Sequence, residues 1–433
     1  MNKVKETLGK HILADGFDFV MDYEKSQGSW IVDRFSGKKY LDMFSMFASA
    51  SVGYNHPYIL EKADWLGKMA VYKPTLSDVY LQEYADFMEV FDRIAIPKEL
   101  PYCFFIEGGA LAVENALKTA FDWKTRKNWL KNVDKEAGIV IHFKQAFHGR
   151  SGYTLTLTNT SDPRKYQYFP KFEWTRILNP KLNFPITDES LEETIKNERL
   201  ALLHIQEAVL SNPDEVACVI IEPIQAEGGD NHFRKEFFTE LRRICDENEI
   251  LLILDEVQTG VAITGKMWAF QHLDIIPDIL VFGKKTQVCG IFANKEKLDQ
   301  VEHHVFKESS RINSTFGGNF IDMLRFQLVL EIIEDENLVE NSKINGEFLL
   351  NGLRKLEEKY PEHISNSRGK GLMCAFDLKN GESRDWLRNQ LFEEGVIILG
   401  CGDNSLRFRP HLNVTKEEIQ LTLDKIDLIF GYC

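Results

Sequence analysis

Two short apolar runs in this chain each end in charged residues, and the charges are of opposite kind. Ile250–Leu254 is followed by Asp255-Glu256, and Ile279–Phe282 is followed by Gly283 and then Lys284-Lys285. Continuous apolar runs of this length read as strands buried on both faces, and in open α/β sheets ligands collect at the carboxyl ends of such strands. An acid and an amine are therefore delivered to one rim. Taken singly, each is ordinary: an Asp at a strand end is usually a turn residue, and a Lys-Lys pair is usually solvated surface.

Nucleotide chemistry does not account for the pair. A phosphate-binding P-loop that ends in Gly-Lys needs a glycine five positions before that Gly, where this chain has Asp278. No G-x-G-x-x-G follows a candidate strand either, since Gly369-Lys370-Gly371 continues into Leu372-Met373-Cys374. Pyridoxal phosphate does need both groups. A lysine amine forms a Schiff base with its aldehyde, and a carboxylate keeps the pyridine nitrogen protonated so that the ring accepts electrons from a substrate carbanion.

The stretches EGGALAVENALK, AFHGRSGYTLTLTNT, FGKKTQVCG and STFGGN extend the pattern. With them the chain resembles the class III aminotransferases among the fold-type-I pyridoxal-phosphate enzymes, over nearly its whole length. Within that family the wording is similar to the subgroup that acts on the ε-amino group of lysine. The resemblance implies transfer of the terminal amino group of L-lysine to 2-oxoglutarate, giving 2-aminoadipate 6-semialdehyde and glutamate. Another ω-aminotransferase, using ornithine, 4-aminobutyrate or a diamine, is the nearest alternative. A scaffold kept only as a ligand sensor is a third, and retention of Lys284, Asp255 and the phosphate elements argues against it.

The resemblance also assigns roles. Lys284 rather than Lys285 matches the Schiff-base lysine, at the end of Pro277-Asp278-Ile279-Leu280-Val281-Phe282-Gly283-Lys284. The glycine-rich continuation of the wider class is replaced here by Thr286-Gln287-Val288-Cys289-Gly290, as in the lysine subgroup. Asp255 matches the partner of the pyridine nitrogen, Val257 the residue under the ring, Gln258 the donor to its phenolic oxygen and Phe147 the aromatic on the opposite face. Gly109 and Ala110 match the phosphate contacts. Thr315 matches the threonine that reaches the cofactor of a neighbouring subunit, which implies a symmetric homodimer with composite sites. Arg150 matches the holder of the substrate α-carboxylate, Glu227 a movable acid and Arg407 its partner. Ala226, where many relatives carry glycine, would stiffen the hinge of that acid, and Glu222 would support the gate.

The chain has 433 residues, 44% of them hydrophobic, enough for two or three domains sharing a large core. A formal net charge of -14 and the lack of a basic tract argue against nucleic-acid or membrane-surface partners. The N-terminal stretch lacks the apolar core of a signal peptide and no run approaches a membrane span, so a cytoplasmic enzyme is expected. Seven cysteines without C-x-x-C spacing read as buried reduced thiols, not as disulfides or metal ligands, and no metal is expected.

These residues need a scaffold. Trp30–Asp33 and Lys39–Asp42 flank a Ser36-Gly37 turn and suggest a hairpin. Residues 1–60 are expected to pack on the C-terminal domain, with the stretch from Phe44 to Pro57 lining the substrate entrance, both implied by the resemblance. Over residues 61–315, strand-like runs at 104–106, 139–143, 217–221, 250–254 and 279–282 alternate with helical stretches such as 234–248. That order predicts an α/β domain with a mainly parallel, helix-covered sheet. Glu107-Gly108-Gly109 breaks the first run and opens a helix, whose free N–H groups and dipole suit an anion. Residues 316–433 read as a smaller α+β domain, with helices near 323–333, 343–357 and 384–394, strands near 371–378, 396–399 and 406–409, and a last helix capped by Thr415 with Glu418.

Overall fold

The computed structural model describes residues 3–431. Near the N-terminus, β1 (Trp30–Val32) and β2 (Lys39–Asp42) form the antiparallel hairpin. β2 then pairs in parallel with a strand from the far end of the chain, β12 (Val396–Ile397). Phe19, Tyr40 and Phe392 stack around that junction, so the first and last parts of the chain share one apolar cluster.

The central sheet has seven strands: β3 (Tyr102–Ile106), β4 (Ile139–Phe143), β5 (Arg176–Ile177), β6 (Val216–Ile221), β7 (Leu251–Asp255), β8 (Ile279–Phe282) and β9 (Cys289–Ala293). Their order is β3-β9-β8-β7-β6-β4-β5, and only β9 runs against the others. Every residue of β6, β7, β8 and β9 is buried, as strands covered on both faces require. At roughly 2 kcal/mol for each fully buried large apolar side chain, these strands anchor the domain.

Helices cover both faces. Gly109–Leu130 packs against β6, β8 and β9. Lys235–Glu247 turns its expected stripe inward, with Phe237, Phe238, Leu241, Ile244 and Cys245 all buried. Beyond the helix Phe320–Asp335, the chain builds a second, antiparallel sheet from β10 (Ile364–Lys370), β11 (Met373–Leu378), β13 (Leu399–Cys401) and β14 (Ser405–Phe408), in the order β10-β11-β14-β13. The helices Leu338–Lys359, Gly381–Glu393 and Lys416–Gly431 pack around it. The last starts with the expected capping box: Thr415 N–H donates to Glu418 Oε2 and Glu418 N–H to Thr415 Oγ1.

The parallel strands set the position of the chemistry. β4, β6, β7 and β8 end at the same edge, followed by Phe147–Arg150, Glu222–Glu227, Asp255–Gln258 and Lys284. β3 ends there too and passes through Gly108 (φ 96°) into the helix that begins at Gly109. Six cysteines among the described residues are free, and no helix of the described residues is long and apolar enough to cross a membrane. Cys433 lies outside the described residues.

Candidate active site

At this edge lies a cavity of about 400 Å³, walled by Gly109, Ala110, Phe147, His148, Gly149, Arg150, Ser151, Glu222, Asp255, Val257, Gln258 and Lys284. Three structural devices shape it. The helix start at Gly109 carries no side-chain cap, which leaves its first N–H groups to the cavity. Gly149, at φ 121°, lies so close to the same helix that a Cβ there would stand 2.6 Å from that of Ala110. Val257 packs on Gly109 and Gly283, bringing the helix start, β7 and β8 together.

Asp255 is nearly buried and fully engaged. Its Oδ1 accepts from the Val257 N–H at 3.0 Å and its Oδ2 from His148 Nδ1 at 2.7 Å. A buried carboxylate held by two donors keeps its orientation. Lys284 sits in the left-handed region (φ 53°), and its Nζ donates to the Phe47 carbonyl at 3.2 Å. Burial, with Arg407 and Arg409 adding to it, pulls its amine down to about 8. Near neutral pH a useful fraction is therefore neutral, the form that attacks a carbonyl or accepts a proton. Lys285 points elsewhere: fully buried, it donates to the Gln258 carbonyl at 2.9 Å, and burial drives its pKa far down.

Glu222 ties two loops together, accepting from the Phe147 N–H at 3.0 Å and the Ala226 N–H at 3.1 Å. Burial raises its carboxyl to about 7. Next to it, Glu227 Oε2 accepts from Arg407 Nη2 at 2.8 Å. Arg407 lies on β14, and its Nη1 is buried without a hydrogen-bond partner. Arg409, by contrast, is committed to Asp230 through both terminal nitrogens. Arg409 keeps only its Nε unpartnered, so Arg407 is the arginine of the two with a terminal nitrogen to spare. Arg150 is exposed at the mouth and pairs with no carboxylate among the described residues. Ala226 is fully buried, and a Cβ on Gly228 would stand 2.0 Å from the Gln145 carbonyl, so the loop around Glu227 is tightly seated.

The stretch from Phe44 to Pro57 contains a turn with no sequence signal. Ser45, Met46, Phe47 and Ala48 all have positive φ, 41° to 62°, although none is glycine. Left-handed backbone costs about 1–2 kcal/mol per such residue, so neighbours must hold it. Asp42 accepts from the Phe44 and Ser45 N–H groups, Gln287 donates to the Ser49 carbonyl and Ser51 to the Lys285 carbonyl. Phe44 and Phe47 are thereby set against Gln258, Arg407 and Arg409.

Of the residues expected from sequence, Gly109, Ala110, Phe147, Arg150, Asp255, Val257, Gln258 and Lys284 wall one cavity, and Glu227 and Arg407 meet beside it. Thr315 is not among them; it is exposed on the loop before Phe320–Asp335. His148 was not anticipated, although it stands inside AFHGRS. Lys165, which donates to Glu227 Oε1, carries no signal in Asp-Pro-Arg-Lys-Tyr. No cluster of His, Cys, Asp and Glu among the described residues could hold a metal ion.

The uncapped helix start, the carboxylate clamped by His148 and the low-pKa amine in one cavity fit pyridoxal phosphate as a donor set. The family model described as aminotransferase class-III matches residues 13–430. An L-lysine-epsilon aminotransferase from Mycobacterium tuberculosis is 47% identical over 98% of this chain and 94% of its own length. Another, from Amycolatopsis lactamdurans, is 45% identical over 98% and 94%. A solved lysine aminotransferase from M. tuberculosis superposes with a TM-score of 0.97 at 45% identity, covering 100% of this chain and 99% of that one.

Proposed function

The chain belongs to the class III aminotransferase family, and on that premise we propose that it moves the ε-amino group of L-lysine to 2-oxoglutarate, with pyridoxal 5'-phosphate as cofactor. The observation that carries the proposal is the single cavity in which Lys284, Asp255, the Gly109 helix start and Arg150 converge.

Pyridoxal phosphate supplies, when bound, an aldehyde that links to amines and a ring that takes up the electron pair left by a departing C–H proton. The N–H groups at Gly109 and Ala110 hold its phosphate. Asp255, fixed by His148, stabilises the proton on the ring nitrogen. Val257, Phe147 and Gln258, which line the same cavity, would hold the ring, the first two by packing and Gln258 by donating to the ring's phenolic oxygen. Lys284 Nζ carries the proton to and from the reacting substrate carbon. Arg150 binds the α-carboxylate of lysine, a planar fork on a carboxylate, and so leaves the ε-carbon at the reacting position.

The acceptor has a carboxylate on its reacting carbon, and Arg407 is the group suited to it. Glu227 covers Arg407 while lysine reacts and leaves it when the keto acid enters. Thr315 contributes to the site of a second copy. Thr315 is exposed, and its loop is tied through the Leu76 N–H, which donates to the Phe316 carbonyl, to a stretch in which Val71, Tyr72, Val79 and Tyr80 are exposed, which supports that dimeric reading. We propose domain boundaries near residues 60 and 315; the pairing of β2 with β12 supports the packing of the N-terminal segment on the C-terminal domain. A cytoplasmic location is likewise proposed.

A panel of amine donors with 2-oxoglutarate, scored by glutamate formed, tests the substrate. L-Lysine should lead in kcat/KM. A lead for ornithine, 4-aminobutyrate or a diamine would move the chain to another ω-aminotransferase.

A further inference from the structure

Glu227 has two cations beside it. Arg407 Nη2 donates to Oε2 at 2.8 Å, and Lys165 Nζ donates to Oε1 at 2.5 Å. Burial alone would raise the Glu227 carboxyl, and these two cations outweigh it and hold the carboxyl below its ordinary value. Lys165 ends the short turn Pro163–Lys165, which is fixed by the Asp162 carboxylate accepting from the Arg164 N–H and guanidinium. Its ammonium stands 5.8 Å from the centre of the Phe147 ring. Glu227 is its one carboxylate partner among the described residues.

The two cations differ in depth. The side chain of Arg407 is 4% exposed, that of Glu227 20% and that of Lys165 24%. For Arg407 to receive a keto acid's α-carboxylate, Glu227 must leave it. A carboxylate that left its only cation as a second anion arrived would be unpaired and repelled, which is costly in a partly enclosed site. With Lys165 on its other oxygen, Glu227 can rotate outward and keep one ion pair.

We propose that Lys165 is a positioning residue for the acceptor half-reaction: it holds Glu227 in the open gate, so that Arg407 is released to the α-carboxylate of 2-oxoglutarate. This rests on the reading of Glu227 and Arg407 as the gate.

The test uses the intact, cofactor-loaded enzyme with Lys165→Met, Lys165→Arg, Glu227→Gln, and Lys165→Met combined with Glu227→Gln. Single-turnover kcat/KM is measured separately for 2-oxoglutarate and L-lysine, and the Kd of glutarate, a dicarboxylate with no keto group, by calorimetry. Lys165→Met should lower kcat/KM for 2-oxoglutarate and weaken glutarate binding about tenfold or more, leaving the L-lysine half within about twofold. Lys165→Arg should restore most of both, and Lys165→Met should change nothing further when Glu227 is already Gln. Equal losses in the two halves, no rescue by arginine, or a loss that persists with Glu227→Gln would overturn the proposal. The two readings can fail separately. If Glu227→Gln admits α-amino donors while Lys165→Met leaves 2-oxoglutarate untouched, the gate stands and the role of Lys165 is lost. If Glu227→Gln admits none, the gate falls and the role of Lys165 falls with it.

Discussion

His148 Nδ1 donates to Asp255 Oδ2 at 2.7 Å, and neither side chain reaches solvent to any extent. The acid proposed to face the cofactor nitrogen is thus oriented from the loop that also carries Phe147 and Arg150. Hydrogen bonds to charged groups contribute about 1.5–3 kcal/mol, so His148→Ala should lower kcat roughly tenfold to a hundredfold. KM for lysine should move little, since the His148 ring is fully buried against Asp255 and Arg150, not His148, is the proposed holder of the substrate carboxylate. Asp255→Asn should cost more than His148→Ala; a milder effect would place the ring-nitrogen partner elsewhere.

The two adjacent lysines should separate cleanly. Borohydride reduction and peptide mapping should place the cofactor on Lys284, and Lys284→Ala should abolish transamination. Lys285→Met, which keeps the bulk of a fully buried side chain, should retain cofactor on Lys284. Label found on Lys285 would reverse the assignment.

Capture of the cofactor by the apoenzyme should follow the Lys284 amine. Burial first, then Arg407 and Arg409, lower its pKa to about 8, against the opposing pull of Glu227 and Asp255. The neutral amine is the reactive form, so the capture rate should rise with pH through about 8 and level off above it. Arg407→Ala removes a cation that disfavours the ammonium, and the midpoint should move to higher pH. A midpoint near the ordinary lysine value in the unaltered enzyme would contradict this account.

Legibility tracked how local the physics was. Ile279–Phe282 matched its strand, the run at 217–221 missed one residue at its start and the run at 250–254 was shifted by one residue, because continuous apolar runs between turn residues have few other solutions. The Thr415–Glu418 cap was equally local. β10, Ile-Ser-Asn-Ser-Arg-Gly-Lys, was not legible, since its order comes from pairing with β11 and not from an apolar pattern. β9 was hidden by Gly290, where a Cβ would stand 2.1 Å from the Phe104 carbonyl. The left-handed turn at Ser45–Ala48 has no glycine to announce it; its hydrogen bonds come from Asp42 on one side and Gln287 on the other. The apolar runs pointed to Asp255 and the Lys284-Lys285 pair, the resemblance to Lys284 of the two and to Arg407, while their neighbours His148 and Lys165 needed three dimensions.

Thr315 provides a test of the composite site. Exposed in its own chain, it should matter only when a second copy is present. Thr315→Ala should speed loss of cofactor from the enzyme during dialysis, and dilution of the unaltered enzyme to monomers should do the same. A monomer that keeps cofactor and full activity would rule out the shared site.

The central claim is that the nitrogen removed is the terminal one. L-Lysine labelled with 15N at the ε position, incubated with the enzyme and 2-oxoglutarate, should give glutamate carrying the label, whereas lysine labelled at the α position should give unlabelled glutamate. Label arriving from the α position, or no glutamate from lysine at all, would contradict the account.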